Sequence, residues 1–109
     1  MNFEDKTKET RIDLFDLAGR TPFCADGNKS LAIRREVVKP LLDDPKNDVV
    51  VIDCTGIENM TDSFANAFFG PLCADTFESG RLKFKGCTPL VKSFILSAWE
   101  MELRKRNRA

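Results

Sequence analysis

The sequence predicts an α/β domain with a mostly parallel sheet and the element order β-α-β-α-β-α. The run 49–52 consists of four apolar residues without alternation, which is typical of a strand that is buried on both faces in a parallel sheet. The segments 11–15 and 82–85 alternate polar and apolar residues instead, as strands with one exposed face do. We therefore expect 49–52 to be the central strand, with the other two strands beside it.

Three helices are expected between and after these strands. Pro40 should kink or end the first helix, because its ring cannot donate a backbone hydrogen bond. The second helix covers about residues 62–78 with apolar residues at helical spacing, and Gly70 with Pro71 should bend or split it. Thr88 is a favoured cap for the third helix, which has a proline at its first position.

The composition favours one globular domain and removes several classes of function. The length of 109 residues fits a single domain, which we place at 11–106 after a flexible lead-in at 1–10. The 17 basic and 17 acidic residues cancel, so no global charge indicates nucleic acid. No run of about 18 apolar residues predicts a membrane span, and the charged N-terminus does not resemble a signal peptide, so a cytoplasmic location is expected.

The absence of histidine and the spacing of the cysteines limit the chemistry further. Histidine-based catalysis and histidine-ligated metal sites are excluded because the chain has no histidine. The four cysteines form no CxxC pair, so we expect reduced, buried thiols and no metal site.

A loop and a helix start follow the central strand and form the candidate site. Asp53 ends this strand, at the edge where ligands gather in open α/β sheets. The loop from Cys54 leads to Thr61, Asp62 and Ser63 at the head of an apolar helix, where unpaired N–H groups and the helix dipole favour an anion. We expect Asp62 to cap this helix, and Asp53 to accept hydrogen bonds from the loop backbone.

This stretch resembles the central segment of STAS domains, the fold of the anti-sigma factor antagonists. In those domains an aspartate, a serine, the phosphorylated residue and a small residue follow one another. Asp62, Ser63 and Ala65 match three of these positions, whereas Phe64 stands at the phosphorylated one. The segment 82–91, an apolar strand followed by a small residue and a proline-led helix, is similar as well. The resemblance covers about residues 12–103 and implies a small STAS-like fold from an uncharacterised bacterial family related to the antagonists.

The resemblance implies a regulatory protein that binds another protein and is not an enzyme, without a cofactor of its own. Its expected partner is an anti-sigma-type kinase, a GHKL-like ATPase. The expected binding surface consists of the loop 54–61, the helix start and the adjacent loop 19–28. The residues that we name in it are Glu58, Thr61, Asp62, Ser63 and Asn66.

Several alternatives stay open at the level of the sequence. Ser63 is the expected phosphorylation site if the register is shifted by one residue, with Thr61 as the weaker acceptor; otherwise binding is constitutive. A rival interpretation is a small enzyme, or a nucleotide- or small-ligand-binding protein, that uses Asp53, Asp62 and Ser63, although the chain offers no recognisable base. A purely structural subunit is a third interpretation. Because the helix 62–78 has four phenylalanines, more than one buried stripe requires, we expect one of them to be exposed for a partner.

Overall fold

The computed structural model describes residues 8–108, so most of the expected lead-in lies outside the described residues. The strands are β1 (Glu9–Asp13), β2 (Phe23–Cys24), β3 (Val49–Asp53), β4 (Asn59–Met60) and β5 (Leu82–Lys85). The α-helices are α1 (Leu14–Leu17), α2 (Gly27–Ile33), α3 (Lys39–Asp43), α4 (Asp62–Thr76) and α5 (Pro89–Asn107). A π-helical segment, Arg34–Val38, joins α2 to α3.

The main sheet has the order β1-β3-β5 and all of its pairs are parallel. The central position of β3 is therefore confirmed, and so is the α/β fold with a mostly parallel sheet. Val50 and Ile52 are buried on one face of β3, and Val49 and Asp53 are buried on the other, so the strand is covered on both faces.

The first strand is shifted relative to its prediction at 11–15. It begins at Glu9 and ends at Asp13, and the residues after it form the short helix α1. The Asp13 side chain accepts a hydrogen bond from the Asp16 N–H and so caps this helix. The last two residues of the predicted strand, Leu14 and Phe15, therefore lie in a helical turn.

A second, small sheet was not predicted. β2 and β4 pair in parallel, with Phe23 opposite Asn59 and Cys24 opposite Met60. Strands of two residues are too short for a pattern with a period of two to stand out in a sequence.

The first long helical segment passes Pro40 instead of ending there. The Lys39 N–H bonds to the Arg34 carbonyl, five residues earlier, in the wide turn of the π-helical segment. α3 then continues with Pro40 in its first turn, where the missing N–H costs little.

Pro71 lies inside α4, which is one continuous helix, so of the predicted bend or split the split is wrong. Proline has no N–H to donate to the carbonyl of Ala67, four residues earlier. Arg34 Nε donates a hydrogen bond to that carbonyl instead, at 2.7 Å. Gly70 lets α5 approach, because a Cβ there would be 3.0 Å from the Ala98 carbonyl oxygen. Tertiary contacts therefore keep α4 in one piece.

Phenylalanines of α4 form the centre of the hydrophobic core. Phe64, Phe68 and Phe69 are at most 1% exposed, whereas Phe77 at the C-terminal end is 66% exposed. The prediction that one of the four is exposed is confirmed. Phe77 packs on Trp99 of α5, with their ring centroids 5.0 Å apart.

Candidate functional site

Asp53 anchors the loop that follows β3. Its Oδ1 accepts hydrogen bonds from the Thr55 N–H at 2.9 Å and the Thr55 hydroxyl at 2.6 Å, which confirms the expected contact with the loop backbone. Its Oδ2 accepts one from Arg11 Nε at 2.7 Å. The hydrogen bonds from Thr55, together with the Arg11 charge, lower the Asp53 pKa to about 2 although the side chain is buried. Asp53 is thus an ionised structural group at neutral pH.

The second half of the loop is fixed to the segment around β2. The backbone N–H groups of Glu58 and Asn59 both bond to the Pro22 carbonyl, and the Thr61 N–H bonds to the Cys24 carbonyl. The small sheet therefore holds the loop 54–61 against the loop 19–28.

Thr61, and not Asp62, caps α4. The Thr61 backbone is extended, and its hydroxyl accepts a hydrogen bond from the Phe64 N–H at 3.1 Å. Asp62 is already the first helical residue, where its charge still complements the helix dipole. Our prediction of an Asp62 cap was wrong. Thr and Asp are both favoured cap residues, so the backbone conformation decides which of the two adjacent residues caps the helix.

The start of α2 lies directly beside the start of α4. A Cβ on Gly27 would be 3.2 Å from the Ser63 Cβ, so the two helix starts are in contact. The buried Ser30 hydroxyl donates to the Phe64 carbonyl at 2.7 Å and ties α2 to α4 one turn deeper. Asp26 caps α2 by accepting from the N–H groups of Asn28 and Lys29.

These elements form one polar surface, which we call the α2/α4 surface. It comprises the loop 54–61, the segment 22–28 and the first turn of α4. Four of the residues named from the sequence are exposed in it and Thr61 is half-buried. Asn66 lies one helical turn beyond Asp62 and so shares its face of α4.

Phe23 belongs to this surface and was not named from the sequence, although the loop 19–28 that contains it was. It is 49% exposed and lies opposite Asn59 in the small sheet. Its position next to Pro22, in a segment with few apolar neighbours, was the available signal. An aromatic residue on a polar surface is the kind of side chain that anchors protein interfaces.

The hydroxyl groups of Thr61 and Ser63 differ in whether hydrogen bonds within the protein already occupy them. Thr61 uses its hydroxyl twice, since it also donates to the Ala25 carbonyl at 3.1 Å. Ser63 is exposed, and among residues 8–108 its side chain has no hydrogen-bond partner. Phe64 is 1% exposed and belongs to the core.

A cavity in the described part of the chain lies away from this surface. It has a volume of about 600 Å³ between β5, the end of α4 and α5. Phe77, Leu96 and Trp99 line it together with Cys87 and Lys92. Neither Asp53, Asp62 nor Ser63 contributes to it.

Within 8–108, no group of three or more metal-ligating side chains is placed to hold a metal ion. No helix in the same range is long and apolar enough to cross a membrane.

The parallel sheet with β3 at its centre, together with the loop and helix start that follow β3, defines a STAS-like domain. The chain belongs to the family described as STAS-like domain of unknown function (DUF4325), whose model matches residues 32–92. This range runs from the end of α2 to the first turn of α5, so it includes the loop 54–61 and all of α4. No curated protein and no solved structure matches the chain.

Proposed function

We propose that the protein is a non-catalytic, cytoplasmic regulatory module that binds another protein through the α2/α4 surface. The observation that carries the proposal is the exposed Phe23, which lies opposite Asn59 in the small sheet whose strands precede the two adjoining helix starts. Such a combination of an aromatic anchor and a polar rim is typical of protein interfaces. The STAS-like fold is in keeping with this mode of action.

The proposed partner is a regulatory ATPase or anti-sigma-type kinase of the GHKL-like class. The resemblance to anti-sigma factor antagonists suggests it, because in such pairs the nucleotide is bound by the kinase. The protein then needs no cofactor of its own.

If the partner phosphorylates the protein, Ser63 is the acceptor that the geometry favours. A phosphate on Thr61 would remove the cap of α4 and its bond to Ala25, whereas Ser63 is free of such contacts. A phosphate on Ser63 would meet the positive end of the α4 dipole but also the negative charge of Asp62. Without phosphorylation, binding is constitutive and depends on shape and apolar contact.

The rival enzyme would use Asp53, Asp62 and Ser63 together. Asp53 is committed to Arg11 and Thr55, and its low pKa makes it a poor proton acceptor at neutral pH. A small ligand would find the space that it needs in the cavity beside β5 and not among these three residues. The binding function therefore has the stronger support.

The test begins with a pull-down from the native source to identify the partner and continues with calorimetry on the purified pair. We expect Ser63→Asp to weaken binding more than about tenfold, because an added carboxylate is buried without a partner at the interface. Phe23→Ala should weaken binding to a similar extent through loss of the aromatic anchor.

Two matched variants serve as controls. Lys46→Asp places a new carboxylate at the opposite end of β3, and Phe77→Ala removes an exposed aromatic at the far end of α4. Both should bind like the wild type. Equal affinity of all four variants would remove the α2/α4 surface as the binding site.

A further inference from the structure

Two cysteines come together where β3 and β5 end. The register of the sheet pairs Asp53 with Lys85, and the next residues of both strands remain in contact. The Cys54 N–H donates to the Lys85 carbonyl at 2.8 Å, and Cys87 Sγ lies 3.8 Å from the same oxygen. Both cysteines therefore lie next to the Lys85 carbonyl group.

Gly86 allows the chain segments to approach closely at this point. A Cβ on Gly86 would overlap the Thr55 hydroxyl, so nothing larger than hydrogen fits between the two chain segments. The Cys54 and Cys87 side chains interact as hydrogen-bond partners, so their sulfur atoms lie close to each other. A disulfide bridge needs such proximity, with Cα atoms about 4.4–6.8 Å apart.

The two thiols differ in access and in acidity. Cys87 is half-buried and lines the cavity beside β5, whereas Cys54 has no exposed surface. The interaction with Cys54, assisted by the nearby Lys92 charge, lowers the Cys87 pKa. The same interaction, together with burial, raises the Cys54 pKa. Cys87 also directly precedes the capped start of α5, a position that favours a thiolate.

We propose that Cys54 and Cys87 form a redox pair that hydrogen peroxide converts reversibly into an intramolecular disulfide. The Cys87 thiolate attacks a peroxide oxygen, the O–O bond breaks, hydroxide leaves and Cys87 becomes a sulfenic acid. The Cys54 sulfur then attacks the Cys87 sulfur; the S–S bond forms, the S–O bond breaks, and the oxygen leaves as water with the Cys54 proton. The two thiols together lose two electrons, and the peroxide is reduced to water.

The disulfide would connect the first residue of the loop 54–61 to the start of α5. This modification goes beyond the binding function and does not depend on it. Cys24 and Cys73 are internal references, because both are buried free thiols near the pair, Cys24 near Cys54 and Cys73 in the lining of the same cavity as Cys87.

The experiment is peptide mapping of the full chain after exposure to hydrogen peroxide under native conditions. Remaining thiols are alkylated after denaturation, and the protein is then cleaved with trypsin without reduction. Cys54 and Cys73 fall in the tryptic peptide 47–81, and Cys87 falls in the peptide 86–92. We expect these two peptides to be joined, lighter by two hydrogen atoms than their sum, and to separate after treatment with dithiothreitol.

Two variants show which cysteines form the disulfide. Cys73→Ser should leave the joined peptides unchanged, whereas Cys54→Ser should leave a Cys87 sulfenic acid that dimedone traps. Four alkylated thiols in the oxidised wild type, or a link that disappears in Cys73→Ser, would overturn the proposal. A disulfide that forms only between two chains would overturn it as well.

Discussion

At the scale of single residues, Asp53 connects the first strand of the sheet to the loop after the third. Its contact with Thr55 is local and follows from an acidic residue at the end of a strand. Its contact with Arg11 spans 42 positions of the chain and depends on the register of β1 against β3. The contact with Arg11 therefore forms only when β1 and β3 are paired in the folded protein.

This geometry predicts an acid-sensitive contribution to stability. The Asp53 pKa falls from 3.8 to about 2 on folding, so the stabilisation is complete above about pH 4 and is lost as the pH falls towards 2. We expect Asp53→Asn to cost about 2 kcal/mol at neutral pH and about half of that at pH 3. Urea unfolding of both proteins at the two pH values measures this difference.

Glu78→Gln is the matched control for Asp53→Asn. It makes the same change from carboxylate to amide on an exposed side chain, and it should shift the stability by less than about 0.5 kcal/mol. A cost of Asp53→Asn that stays constant between neutral pH and pH 3 would contradict the assigned role of the carboxylate.

At the scale of the elements, a side chain of one helical segment completes the hydrogen bonding of another. Arg34, in the π-helical segment, supplies the Ala67 carbonyl with the donor that Pro71 lacks. Burial lowers the Arg34 pKa, yet the guanidinium remains charged under any physiological condition.

We expect the effects of changes at Arg34 and Pro71 to be coupled. Arg34→Met should destabilise the protein by about 1–3 kcal/mol, because it leaves a buried carbonyl without a donor. In the background of Pro71→Ala, the N–H of residue 71 again donates to the Ala67 carbonyl. Arg34→Met should therefore lower the free energy of unfolding by about 1 kcal/mol less in this background than in the wild type. A double-mutant cycle by urea unfolding measures the coupling, and strictly additive costs would exclude it.

The elements also differ in how far the sequence predicts them. β3 and α5 are long and regular enough for their patterns to stand out, and both were placed correctly apart from their ends. β2 and β4 have two residues each, so only their pairing in space makes them strands.

The local sequence predicts where the candidate site lies better than it predicts the role of each residue in the site. The site segment could be located because a strand, a loop and a capped helix follow one another in it. The choice of Thr61 over Asp62 as cap depends on backbone angles that either residue can adopt. The loop 19–28 could be assigned to the surface, but Phe23 could not be singled out in it because its partner Asn59 is distant in the chain.

At the scale of the whole molecule, the two sheets should differ in their local stability. β3 is paired on both sides and covered on both faces, whereas the small sheet is one pair of two-residue strands in which every second side chain is exposed. Amides that open only with global unfolding exchange most slowly. We therefore expect hydrogen exchange to be slowest in β3 and much faster in β2, β4 and the loop 54–61.

Hydrogen–deuterium exchange with mass spectrometry or NMR gives the comparison within one sample. β1 is the internal reference, since it pairs with β3 on one side only. Equal protection of the Thr61 amide, which bonds to the Cys24 carbonyl, and the Val50 amide would show that the small sheet opens only together with the core. In that case the α2/α4 surface would be a rigid template instead of an adaptable one.

The burial of Phe64 limits the substitutions that position 64 can accept. The ring lies 6.3 Å from that of Phe68 in the core, at the position that the STAS resemblance matches with the phosphorylated residue. Substitution by serine would remove the ring and leave a buried hydroxyl, at a cost of about 3–5 kcal/mol, a large share of the stability of a small domain. A hydroxyl acceptor at this position therefore requires compensating changes in the core as well as the substitution itself.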